Sequence, residues 1–336
     1  MKIALDAMGG DHAPDATVEG AVLAARELDV EIVLVGDEAI IQAALSRHAT
    51  AGLPLSIVHA SQQVEMHESP SSVVRRKRDS SIWVATRLVK EGQAAAVVSA
   101  GNTGASMATA LFILGPLAGV ERPAIATLLP TLTGTALMID VGANVDCKPE
   151  HLFKFGVMGY VYAQDMLGAS SPKVGLLSIG EEDGKGNDLT REAFKMLKES
   201  GLPFIGNVEG RDVYRGDVDV IVCDGFIGNV ALKISEGLAD ALVQMLKREI
   251  LASTLGKLGG WLLKPTFARF RKKIDYAEYG GAPLLGANGI SVICHGRSTP
   301  KAIKNAIRMA RDAEVRGLNR HIKDQIEAKL QGLNAV

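Results

Sequence analysis

Long apolar runs are missing from this sequence. None approaches the roughly 20 residues that a membrane-spanning helix requires, and nothing at the start reads as a secretory leader, so a cytoplasmic protein that is at most peripherally membrane-associated is expected. Cysteine is scarce. Cys147, Cys223 and Cys294 lie far apart with no CxxC or Cys/His spacing, which excludes a disulfide framework and a cysteine-based metal site. Aromatics make up only 4% of the chain and the formal net charge is -1. No basic, aromatic-laced surface for nucleic acid follows from that balance. Signature loops are absent too. No GxGxxG follows the first apolar run and no GxxxxGK[ST], GxSxG or HExxH occurs, which argues against dinucleotide, P-loop, serine-hydrolase and zinc-protease chemistry.

What is present is glycine, 36 residues of it, in a chain that is 47% hydrophobic. Short β-branched runs alternate with helical patterns throughout, the pattern of a three-layer α/β/α fold with a mostly parallel sheet. The runs fall at 3–5, 31–35, 55–58, 94–99, 125–129, 136–139, 174–179, 204–205, 218–223 and 290–294. No linker divides the chain, so residues 1–336 read as one α/β catalytic domain, with room for two lobes around a cleft.

Most of these runs end in polar, glycine-bearing turns: Asp6 to His12, Ala100 to Ser106, Asp140 to Asn144, Gly180 to Asp188, Asp224 to Asn229 and His295 to Ser298. In open parallel sheets ligands bind beyond the carboxyl ends of the strands. Turn chemistry also uses Gly, Asn and Asp, so each motif alone has a purely structural reading. Asn102, Thr103 and Gly104 open a helix whose free N–H groups favour phosphate. Lys185, between two glycines, is either a phosphate-binding cation or a solvated loop lysine. Asn229 either donates its amide to an oxyanion or simply caps a helix expected to begin near Val230. His12 and His295 are either proton carriers or structural. Asp6, Asp140 and Asp224 read as turn formers.

Taken together, MKIALDAMGGDHAP (1–14), SAGNTGAS (99–106), DVGAN (140–144), IGEEDGKGN (179–187) and DGFIGN (224–229) resemble the bacterial PlsX-type phosphate acyltransferases, the acyl-acyl carrier protein:phosphate transacylases. The likeness runs from the first residue to the last helix. It implies that an acyl group passes from acyl-acyl carrier protein to inorganic phosphate, giving acyl phosphate for membrane phospholipid synthesis. It implies a homodimer, a fold similar to phosphotransacetylases and isopropylmalate dehydrogenase-like proteins, and no metal or organic cofactor. A membrane glycerol-3-phosphate acyltransferase would consume the product. On this resemblance Lys185 and the Asn102–Gly104 segment would hold phosphate. Asn229 would serve as oxyanion or phosphate donor, and His12 or His295 would protonate the departing thiolate. Two other readings are weighed against it: an NAD-linked decarboxylating dehydrogenase on the related fold, and a non-catalytic scaffold that binds carrier protein at a membrane.

Two surfaces are expected to meet partners. Arg75, Arg76, Lys77 and Arg78 are consecutive cations, suited to the acidic carrier protein or else a solvated helix face. From about 253 to 275, Leu258, Trp261, Leu262, Phe267 and Phe270 recur at helical spacing around Pro265, with Arg269, Arg271, Lys272 and Lys273 beside them. That amphipathic hairpin suits an anionic membrane surface or a partner subunit.

Overall fold

The structure, a computed structural model, describes residues 1–274 and 278–334, with the side chains of 271–274 and 332–334 left out. Ile274 and the basic residues Arg271, Lys272 and Lys273 therefore lie outside the described side chains.

The elements in chain order are β1 (Lys2–Asp6), α1 (Asp15–Glu27), β2 (Glu31–Gly36), α2 (Glu38–Leu45), β3 (Leu55–His59), α3 (Pro70–Arg76), α4 (Ser81–Lys90), β4 (Ala96–Ser99), α5 (Thr103–Ile113), β5 (Ala124–Pro130), β6 (Thr135–Ile139) and α6 (Pro149–Leu167). There follow β7 (Val174–Leu177), α7 (Asp188–Glu199), β8 (Phe204–Val208), β9 (Val220–Val222), α8 (Gly225–Leu251), α9 (Thr254–Leu262), α10 (Lys264–Ile274), β10 (Ala282–Leu285), β11 (Ile290–Ile293), α11 (Pro300–Val315) and α12 (Leu318–Asn334). A short 3-10 turn, Asp212–Tyr214, precedes β9.

Eleven strands form one sheet in the order β3-β2-β1-β4-β11-β10-β5-β6-β9-β7-β8. Alternate strand residues enter opposite layers, as the pleat dictates. Ile3, Leu5, Ile32, Leu34, Leu137, Ile139, Val220 and Val222 join the cluster beneath α1, α6, α11 and α12. Ala4, Val33 and Val97 face α4, while Met138 and Ile221 meet the cluster that includes α5. Both faces of the sheet are thus covered, as the β-branched runs require.

The sheet departs from a uniform parallel array at its centre. β10 is antiparallel to both β11 and β5, and β5 is antiparallel to β6. The four residues between β5 and β6 are too few for a crossover, so the two strands form a hairpin. β10 is a strand that the sequence pattern does not announce, because Gly280, Gly281 and Pro283 surround and interrupt it. Consequently β1, β4 and β11 run one way and β6, β9 and β7 the other in the ladder. Their carboxyl ends form two separate groups.

Candidate active site

The first group of strand ends belongs to β1, β4 and β11. Asp6 closes β1, is buried, and accepts from Ser99 Oγ at 2.7 Å and from the N–H of Met8 at 3.2 Å. Burial pushes its carboxyl above the ordinary range, against these hydrogen bonds. The glycine turn after it reaches the β11 end, where Asp11 N–H donates to Gly296 O at 2.8 Å. His12 and His295, both exposed, therefore flank one contact.

α5 starts in the same group, and its first turn shows how sequence-predicted donors divide. The Asn102 side chain caps the helix, accepting from Ala105 N–H at 3.0 Å. Its amide also donates to Met66 O at 2.8 Å and Glu68 O at 2.9 Å. That side chain is fully engaged in holding the 65–68 loop. The backbone N–H groups of Thr103 and Gly104 make no hydrogen bond among the described residues, and they carry the positive end of the helix dipole.

The second group comprises the ends of β6, β9 and β7. Helix α8 begins at Gly225, earlier than its sequence pattern indicates, because Asp224 is the cap and accepts from Ile227 N–H at 2.9 Å. Asn229 is thus inside the helix, not at its cap. Its exposed amide makes no hydrogen bond among the described residues. On the neighbouring loop, Lys185 is also exposed and forms no ion pair among the described residues. Three acids around it are partnered, Glu181 with Arg211 at 2.8 Å, Asp183 with Lys198 at 2.8 Å, and Asp188 with Arg191. The Glu182 carboxylate, beside the Lys185 stem over Gly180, forms no ion pair among the described residues. A cation that forms no ion pair among the described residues, with most nearby acids already paired, is what a small anion would meet.

Beneath Asn229 the 140–144 loop is organised by the buried Asp140 carboxylate, which sequence reading takes for a turn former. The Asp-x-Gly-x-Asn spacing is the signal that finds it in retrospect. Burial raises the Asp140 pKa, and five N–H donors oppose that rise. Nearby Cys147 has its thiol pushed up to about 11 by burial, with Asp140 adding to the effect. It stays a neutral thiol, unsuited to nucleophilic catalysis. At the start of α6, buried Lys154 reaches Glu121 at 3.0 Å and His151 reaches it at 3.2 Å. Burial holds the His151 pKa below its usual value.

The structure therefore gathers His12, His295, Thr103 and Gly104 at one group of ends, and Lys185 and Asn229 at the other. Between them α5 contributes Met107 and Ala110 to the apolar cluster that takes in Val141, Ala143, Ala231 and Leu232. A cavity of about 310 Å³ beside β8 is lined by Glu181, Asn207, Asp212 and Asp217, a carboxylate-rich wall unsuited to phosphate.

The two surfaces expected from the sequence to meet partners are described in part. Lys77 faces inward toward Glu68, and Arg78 lies over the Trp83 ring at 5.7 Å. Arg75 and Arg76 remain exposed in the last turn of α3, which packs on α5 with Pro70 against Gly104. The hairpin forms as α9 and α10, with Pro265 in the first turn of the second helix. Leu258, Trp261, Leu262 and Phe270 are exposed and Phe267 is half-buried. Among the described residues no helix is long and apolar enough to cross a membrane.

The chain matches the family described as "Fatty acid synthesis protein" over residues 1–321. It is 55% identical over 332 residues to the phosphate acyltransferase of Geobacter sp. (strain M21), covering 99% of this chain and 94% of that one. The phosphate acyltransferase of Geobacter sulfurreducens is 54% identical over 329 residues, covering 98% of this chain and 95% of its own. Among solved structures, a phosphotransacetylase from Streptococcus pyogenes aligns with a TM-score of 0.64 at 17% identity, covering 94% of each chain. The EutD phosphotransacetylase from Staphylococcus aureus gives 0.59 at 18%, covering 93% of this chain and 94% of that one. At such identities the likeness is one of fold.

Proposed function

The chain belongs to the phosphate acyltransferase family, and we propose that it moves an acyl group from the thioester of acyl-acyl carrier protein to inorganic phosphate. A phosphate oxygen attacks the thioester carbonyl, the new C–O bond forms, and the C–S bond breaks. The products are acyl phosphate and the carrier thiolate, which takes up a proton. Phosphate is itself the nucleophile, so the reaction needs neither a covalent serine nor a triad. What it needs is orientation of the two reactants and stabilisation of the oxyanion, about 3 kcal/mol for one well-aimed donor.

The observation that carries this reading is Lys185, which forms no ion pair among the described residues while most acids around it are paired, with the Asn229 amide, without a hydrogen bond among the described residues, in the first turns of the helix that follows the neighbouring strand. In this reading Lys185 and the N–H groups of Thr103 and Gly104 hold phosphate. Asn229 donates to the oxyanion, and His12 or His295 supplies the proton to the leaving thiolate. Helix α5 supports a shared cleft, because its Met107 and Ala110 join the same apolar cluster as Val141 and Ala143 of the 140–144 loop and Ala231 and Leu232 of α8. The test is direct: acyl-carrier protein and phosphate, with nothing else added, yield acyl phosphate, and the yield collapses in Lys185→Ala. Family membership leaves the dehydrogenase and scaffold alternatives without support.

The same reading extends to partners. Arg75 and Arg76 sit on the helix that covers the α5 N-terminus, where an acidic carrier protein would bring its thioester. Val230, Ile234, Leu238, Leu242 and Met245 make one stripe along α8, each 43–65% exposed. Monomers rarely leave such a patch in water, which supports a homodimer built on α8. The apolar tips of α9 and α10 then support peripheral contact with an anionic membrane. There the acyl phosphate passes to a membrane glycerol-3-phosphate acyltransferase for phospholipid synthesis.

A further inference from the structure

Two glycines are the only buried residues of the 27-residue helix α8. A Cβ on Gly225 would come within 2.7 Å of Asn144 O and 2.8 Å of Asp140 Oδ2, and one on Gly228 would lie 1.9 Å from Asp140 O. The first turns of α8 therefore rest directly on the backbone of the 140–144 loop. Gly225 N–H donates to Asn144 O at 2.8 Å, and Asp140 N–H donates to Cys223 O at 2.9 Å. Any movement of that loop moves the helix start.

The loop in turn hangs on one side chain. Asp140 Oδ1 accepts from the N–H groups of Ile125 at 3.0 Å, Gly142 at 3.2 Å and Ala143 at 3.0 Å. Its Oδ2 accepts from Asn144 N–H at 2.7 Å and from Asn144 Nδ2 at 2.9 Å. The carboxylate touches no solvent. Gly142, held by Oδ1, has φ +139, and a Cβ there would sit 3.4 Å from Asn229 Nδ2. The amide of Asn229 is therefore seated against a backbone segment whose position Asp140 sets from below.

From this chain of contacts we propose that Asp140 is a positioning residue for the transfer reaction, acting through Gly142 and the α8 start to fix the amide of Asn229. The proposal rests on the reading of Asn229 as the oxyanion donor. Asp140→Asn keeps the shape but turns an NH2 toward N–H groups that need an acceptor. The loop then shifts, and a misplacement of about 1 Å at a reacting group costs about 100-fold in rate.

The experiment is a double-mutant cycle on the full chain, with a long-chain acyl thioester of carrier protein and phosphate as substrates. Asp140→Asn, Asn229→Ala and the double variant are compared for kcat and for each KM, with thermal melting as the check on folding. The expected result is a fall of roughly 100-fold in kcat for Asp140→Asn with both KM values retained, and a double variant no slower than Asn229→Ala. Where Asp140→Asn does not fold, Asn144→Ala takes its place, removes two of the contacts to Asp140 and Pro123, and is expected to show the same non-additivity. Multiplicative losses in either background overturn the positioning role while leaving Asn229 as the donor. Near-normal kcat in a folded Asn229→Ala protein removes the donor reading and the inference with it.

Discussion

Lys77 is tied to Glu68. Its ammonium donates to that carboxylate and to Gln63 O at 2.6 Å, closing the loop whose carbonyls receive the Asn102 amide. In the sequence Lys77 is one of four consecutive cations. In the fold it belongs to the support of the α5 N-terminus, and the electrostatic surface falls to Arg75 and Arg76.

The two roles separate by mutation. Arg75→Glu with Arg76→Glu is expected to raise the KM for acyl-carrier protein several-fold, with an effect that fades as salt screens it, and to leave thermal stability unchanged. Lys77→Met is expected to cost about 1–3 kcal/mol of stability by stranding Glu68 and the Gln63 carbonyl. Denaturant melts and a salt series on KM distinguish them. A salt-insensitive, unchanged KM in the double arginine variant removes the docking surface.

Lys185→Ala is expected to lower turnover by at least about 100-fold, with the fold intact because the side chain is exposed and makes no ion pair among the described residues. A rise in the KM for phosphate should accompany it. Steady-state kinetics at varied phosphate measures both, and wild-type turnover in a folded variant takes Lys185 out of the site.

The α8 stripe predicts oligomeric state. Ile234→Glu with Leu242→Glu places charges on two exposed apolar positions, 65% and 56% accessible in the isolated chain. Light scattering after size exclusion is expected to show a dimer for the wild type and a monomer for this variant. Identical masses would falsify a dimer through α8.

The hairpin predicts membrane contact. Wild-type protein is expected to float with vesicles rich in anionic lipid, and Leu258→Glu with Leu262→Glu to remain behind. Equal flotation means that the α9 and α10 tip does not touch the bilayer.

Asp6 predicts a pH dependence. Its folded-state pKa is raised by burial, so the stability it confers is full below the unfolded carboxyl value and is lost as pH rises through the folded one. Asp6→Asn carries no such loss. The melting temperature of the variant relative to wild type is therefore expected to climb from acid to neutral pH, and a constant difference would show that Asp6 keeps its ordinary pKa in the fold.

Much of this molecule was legible in one dimension. Strand runs such as Ile32–Val35 and Val220–Val222 announce themselves because both faces of a covered parallel sheet demand β-branched residues, and the glycine-rich ends follow because turns and close approaches need them. The pairing of Leu258 and Trp261 with Pro265 marked the hairpin for the same local reason. Periodicity and turn chemistry act over a few residues, and those signals survive in sequence. The tertiary structure alone decided which ends share a neighbourhood. It set Asn229 within a helix that Asp224 caps, engaged Asn102 and Lys77 in holding a loop, and left Lys185 as a cation without an ion pair among the described residues. It also inserted the antiparallel β10 and the β5–β6 hairpin, which divide the strand ends into two groups. Those outcomes depend on hydrogen bonds and packing between residues tens to hundreds of positions apart, and no local pattern encodes them.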